Sequence, residues 1–90
     1  MNDKIMKSVP VRMLIELSNK PPRNISHLSK KIDCTYSYIT NEIKRLKESG
    51  FIYVKDVESS RREKRVLLTE KGFKVAKILR ELKMVLEIWV

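Results

Sequence analysis

Apolar residues recur along this chain at two spacings, and the change from one to the other predicts its elements. Between Ser8 and Asn19, Val11, Leu14, Ile15 and Ser18 fall on one face at about 100° per residue, the period of an amphipathic helix. Ser8 is placed to cap this helix over 8–19, and Pro10 lies in its first turn, where a missing N–H is harmless. Asn19-Lys20-Pro21-Pro22 ends it. Arg23-Asn24-Ile25 leaves room for a very short extended segment. Ser26 then caps a short helix over 26–32 carrying Leu28, Lys31 and Ile32, and Asp33-Cys34 makes a tight turn. Thr35 caps a third helix over 35–49, on which Ile39, Ile43 and Leu46 lie within about 60° of one another. Gly50 suits the left-handed closure of that helix, with Phe51 reaching back to Leu46.

From Phe51 to Val57 the period becomes two. Ile52 and Val54 alternate with Tyr53 and Lys55, and Arg65 to Leu68 offers a partner strand across the loop Glu58–Lys64, giving a β-hairpin over 51–68. Thr69 caps a last helix over 70–90, with Glu70 where the macrodipole favours a carboxylate; it spans about 31 Å at about 1.5 Å per residue. The order is a helix-turn-helix with a hairpin appended, an α+β fold that is mostly α. No repeat or linker interrupts it, so the expectation is one domain over 1–90.

Composition narrows the partner. Twenty Lys and Arg against eleven Asp and Glu give a net charge of +9, a surplus that repels itself unless a polyanion supplies counter-charge. No apolar run approaches the roughly 20 residues of a membrane span, and residues 1–10 lack a secretory stretch, so the chain reads as cytoplasmic with no membrane partner. Cys34 is the single cysteine and His27 the single histidine, too few for a metal site. No glycine-rich phosphate loop, paired-carboxylate motif or nucleophile beside a base is present. Neither catalytic residues nor a cofactor are expected.

Ile25 to Ile32, then Thr35-Tyr36-Ser37-Tyr38-Ile39-Thr40-Asn41-Glu42-Ile43-Lys44-Arg45-Leu46-Lys47-Glu48-Ser49-Gly50-Phe51-Ile52, then Arg65-Val66-Leu67-Leu68-Thr69-Glu70-Lys71-Gly72 resemble the winged helix-turn-helix of MarR-type transcription regulators. The likeness runs over roughly residues 11 to 75. Its most specific pieces are the Leu-x-x-x-Gly-Phe-Ile passage and the Leu-Thr-Glu-Lys-Gly that opens the last helix. It implies a three-helix core with a two- to three-stranded β-wing, binding double-stranded DNA as a repressor. Such regulators usually carry further helices and a ligand pocket, so at this length a small-molecule effector is not expected.

Independently of that likeness, burying Ile39, Ile43 and Leu46 fixes what the opposite face of the third helix presents. Ser37, Asn41, Lys44 and Glu48 lie there, flanked by Tyr38, Thr40 and Arg45. Hydroxyl, amide and cationic groups on one helix face suit base edges and phosphates in a major groove, and Asn41 is the foremost candidate for an adenine. Tyr36 is a candidate for stacking, although its wheel position lies nearer the core. In the hairpin loop, Ser60, Arg61, Arg62, Lys64 and Arg65 suit the backbone or a narrow minor groove. Arg23, Lys30 and Lys31 add sequence-blind phosphate contacts.

On the last helix Val75, Ile78, Leu79, Leu82, Val85, Leu86 and Trp89 form a stripe with heptad spacing at 75, 78, 82, 85 and 89. Phe73 and Ala76 are assigned to the domain's own core, which leaves the stripe for a second copy in a two-fold dimer. The competing arrangement packs the stripe back onto Met13 and Leu17 in a monomer. Two other functions fit the same composition: an architectural protein coating duplexes without sequence preference, and a winged-helix module that binds another protein.

Overall fold

A computed structural model of the chain describes residues 7–19, 24–56 and 64–89. Its elements are α1 (Val9–Asn19), α2 (Ile25–Ile32), α3 (Tyr36–Glu48), β1 (Ile52–Asp56), β2 (Lys64–Leu68) and α4 (Glu70–Trp89). The predicted helix order and hairpin are present, with ends shifted by a residue or two. One cap differs: the side chain of Asn24 accepts from the His27 N–H at 2.8 Å, so the cap lies two residues before Ser26 and α2 begins at Ile25. Asn24 is itself extended, at φ −161° and ψ −179°, and Ile25 is already helical, leaving no room for a strand at 24–25. Lys20, Pro21, Pro22 and Arg23 lie outside the described residues.

Two helix ends are closed by the same device. After α3, the Phe51 N–H donates to Leu46 O and the Gly50 N–H to Lys47 O, both at 3.0 Å, with Gly50 at φ +81°. This is a Schellman closure. After α2, the Cys34 N–H donates to Ser29 O at 3.1 Å and the Asp33 N–H to Lys30 O at 3.3 Å, with Asp33 at φ 62°. An aspartate takes this left-handed conformation at lower cost than most residues. The buried Ser29 hydroxyl donates to Cys34 O, locking the turn between α2 and α3.

The core joins all the elements. Met13, Leu14 and Leu17 of α1, Leu28 and Ile32 of α2, Ile39, Ile43 and Leu46 of α3, Ile52, Val66 and Ala76 form one buried cluster. On α1 the buried set is Met13, Leu14, Ile15 and Leu17, with Val11 and Ser18 only half-buried, so the inward face is shifted from the predicted Val11–Leu14–Ile15–Ser18 set; α1 also packs against α4. β1 and β2 pair antiparallel with Ile52 opposite Leu68 and Val54 opposite Val66, so these side chains face inward by the two-residue alternation. The last helix, α4, has 20 residues and is the longest element described.

Two expectations about the core are corrected. Phe73 is 56% exposed, whereas Ala76 is fully buried. The reason is Gly72, which turns toward the body and lies so close to the Phe51 carbonyl that a side chain there would overlap it. With Gly72 and Ala76 inward, the 100° step carries Phe73 outward. Tyr36 is 54% exposed rather than core, and residues 35–38, the first turn of α3 and its cap, are all exposed with it.

Candidate nucleic-acid interface

The helix α3 starts from a defined cap, with the Thr35 hydroxyl accepting from the Tyr38 N–H at 3.2 Å. Ile39, Ile43 and Leu46 are buried beneath it. On the other side Ser37, Asn41, Lys44 and Glu48 are exposed, and Tyr36, Tyr38, Thr40 and Arg45 are exposed around them. The Thr40 hydroxyl donates to the Tyr36 carbonyl at 2.8 Å. Among the described residues no buried side-chain polar atom lacks a partner. The polar groups left over for a ligand are therefore at the surface.

Glu42 is a residue the hydrophobic pattern does not single out. It is buried on the flank of α3, and its carboxylate lies 3.8 Å from the Arg45 guanidinium, whose side chain is 79% exposed. That pairing restrains Arg45 on the edge of the open face. The only sequence signal is an acid three residues before a base on a helix, a spacing that is common on solvated helices.

The hairpin carries a second set of cations. Lys64 and Arg65 are exposed on β2; Ser60, Arg61 and Arg62 fall outside the described residues. Register places Lys55 directly opposite Arg65. Both are exposed and point away from the inward pair Val54 and Val66. Like charges in a cross-strand pair are destabilising by themselves, so this arrangement costs hairpin stability unless an anion lies against it. Lys55 was legible as an outward position of the strand, but its alignment with Arg65 depends on register. Lys30 and Lys31 are exposed in the last turn of α2, beside the turn into α3; Arg23 lies outside the described residues.

On α4 the apolar stripe is divided. Val75, Leu79, Leu82 and Leu86 are half-buried by the chain itself, Ile78 is 63% exposed and Val85 49%, and the Trp89 side chain lies outside the described residues. Phe73, Met84 and Ile88 are also exposed, on a part of the helix surface outside the heptad stripe. Cys34 is half-buried with its Sγ 3.9 Å from Ile32 O. Among the described residues no group of His, Cys, Asp and Glu is arranged to hold a metal ion, and no helix is long and apolar enough to cross a membrane.

The fold recurs in known proteins. The transcriptional regulator SlyA superposes with a TM-score of 0.77 at 29% identity, over 88% of this chain and 56% of that one. A mutant of Lactococcus lactis ZitR gives 0.81 at 22% identity over 91% and 56%. Streptococcus pneumoniae FabT, solved in complex with DNA, gives 0.79 at 23% identity over 88% and 57%. The chain thus spans a little over half the length of these solved relatives. A search of curated proteins gave no significant match. The profile of the MarR family matches residues 9–64, which hold α1 to α3 and the first strand of the hairpin, and the chain belongs to that family.

Proposed function

We propose that this protein is a double-stranded DNA-binding transcriptional regulator that acts as a homodimer and represses by occupying its site. The observation that carries this reading is the open polar face of α3, Ser37, Asn41 and Lys44, above a buried Ile39–Ile43–Leu46 face, on a chain of net charge +9. An α-helix presented this way fits a major groove, where its amide and hydroxyls reach base edges. Tyr36, Tyr38, Thr40 and Arg45 border the contact. Ser60, Arg61, Arg62, Lys64 and Arg65 serve the wing, and Arg23, Lys30 and Lys31 grip phosphates.

Two copies pair through α4. Ile78 and Val85 supply its exposed apolar contacts, continued by Trp89 and by the accessible edges of Val75, Leu79, Leu82 and Leu86. A two-fold pair sets its recognition helices on successive grooves about 34 Å apart, at a pseudo-palindromic site. In this reading the protein performs no catalysis, needs no cofactor and works in the cytoplasm. Occupancy of the site, set by protein concentration, is the simplest mechanism for it.

The test is selection of bound fragments from a random duplex pool by the purified protein. A palindromic consensus preferred by about 10³-fold or more is the expected result. Recovery of duplexes without enrichment would replace this reading with a non-specific coating protein, and failure to recover duplexes at all would end it.

A further inference from the structure

The last carbonyls of a helix have no intrahelical partner, and the end of α3 is finished by a different element. Lys71 Nζ donates to Ser49 O at 3.0 Å, the Thr69 hydroxyl to Gly50 O at 2.6 Å and the Thr69 N–H to Phe51 O at 3.1 Å. Three consecutive carbonyls at the exit of α3 are thus held by the opening turn of α4. The Lys71 ammonium also lies 4.7 Å from the centroid of the Phe51 ring. Gly72 completes the contact by approaching the Phe51 carbonyl more closely than any side chain allows. The Thr69 hydroxyl in turn accepts from the Gly72 N–H at 3.0 Å, so one hydroxyl both opens α4 and closes the exit of α3.

Hydrogen bonds to three successive residues, together with a steric stop, restrain an angle as well as a distance. Ile52 pairs with Leu68 immediately beside this contact, so the hairpin enters and leaves through the same point. We propose that the turn Thr69–Gly72 is a rigid joint fixing the tilt of α3 relative to α4, with Lys71 as its positioning residue. The joint converts the geometry of α4 pairing into the distance between two α3 helices on a duplex. The last part rests on the dimeric reading above; the joint itself does not.

The experiment compares Lys71→Met, which keeps the aliphatic stem and removes the ammonium, with Lys71→Arg and with Lys77→Met. Lys77 is exposed on the same helix and provides an equal loss of charge. Two measurements are made. In the free protein, amide exchange at Ser49, Gly50 and Phe51 is expected to quicken about tenfold in Lys71→Met and to remain near wild type in both other variants. On duplexes carrying two half-sites at graded separations, wild type is expected to prefer one separation near 10 base pairs. Lys71→Met is expected to lose roughly tenfold there and to accept neighbouring separations, with Lys71→Arg restoring the preference.

Unchanged exchange at residues 49–51 in Lys71→Met would overturn the joint. Faster exchange with a separation profile matching that of Lys77→Met would overturn its role in spacing the recognition helices. A wild-type protein that shows no preferred separation refutes the dimeric reading instead, and the exchange measurement then decides the joint alone.

Discussion

Gly72, in the first turn of α4, lies against the main chain of Phe51 so closely that a Cβ would overlap the Phe51 carbonyl oxygen and stand 2.8 Å from its carbonyl carbon. The obstacle is backbone, which cannot swing aside as a side chain does. Gly72→Ala should therefore destabilise the fold by about 2 kcal/mol or more, as overpacking against a fixed neighbour does. Gly50→Ala is a different case: open space surrounds Gly50, and only its φ of +81° resists a side chain. It should cost about 1 kcal/mol. Denaturant unfolding of the two variants checks the order, and a larger loss at Gly50 would contradict it.

Asp33 holds φ 62° at the closure of α2. Asp33→Gly should raise stability by about 0.5 kcal/mol, since glycine enters the left-handed region freely but loses more freedom on folding. Asp33→Val should lower it by more than about 1 kcal/mol, because a branched Cβ is poorly accommodated there. Thermal unfolding distinguishes the two signs.

Lys55 and Arg65 oppose each other on the exposed face of the hairpin. Lys55→Glu exchanges a like-charge pair for an ion pair and should stabilise the free protein by about 0.2–1 kcal/mol. The same change should weaken every duplex and flatten the salt dependence, since fewer counterions are released. Opposite signs for stability and binding are the signature. Stronger duplex binding by Lys55→Glu would exclude that face from the contact.

Asn41→Ala should relax preference at one base pair by about 1–3 kcal/mol, while Arg65→Ala should weaken all duplexes alike. Competition binding against single-base variants of a selected site separates these patterns. The reverse pattern would exchange the two roles. With six to ten phosphates neutralised by a dimer, affinity should fall about 10³- to 10⁵-fold between roughly 50 and 200 mM salt.

Ile78 and Val85 remain exposed on α4 beside a half-buried set. Ile78→Glu should convert a dimer to monomers that keep the wild-type circular dichroism, because a charge is costly only in the paired state. Sedimentation of the variant at micromolar concentration reads the result. A dimer that persists in both Ile78→Glu and Val85→Glu would move the interface elsewhere.

The order of the elements and the buried side of α3 were legible in the chain, because period and caps are local properties. Thr35, Gly50 and Thr69 each act where their neighbours in the chain said they would, and Ile39, Ile43 and Leu46 are buried together. Other features were settled by packing between elements. Whether Tyr36 is covered depends on how far other elements extend past the first turn of α3, and which side of α4 faces inward depends on the fit of Gly72 against Phe51. The division of the α4 stripe follows from the packing of α4 on the body, with Val75 and Leu79 set against the core cluster. The tasks of Lys71 and Lys55 arise from groups distant in the chain: Ser49, 22 residues before Lys71, and Arg65 across the hairpin. Local spacing carries no information about such meetings, because they are set by where separate elements come to rest against one another.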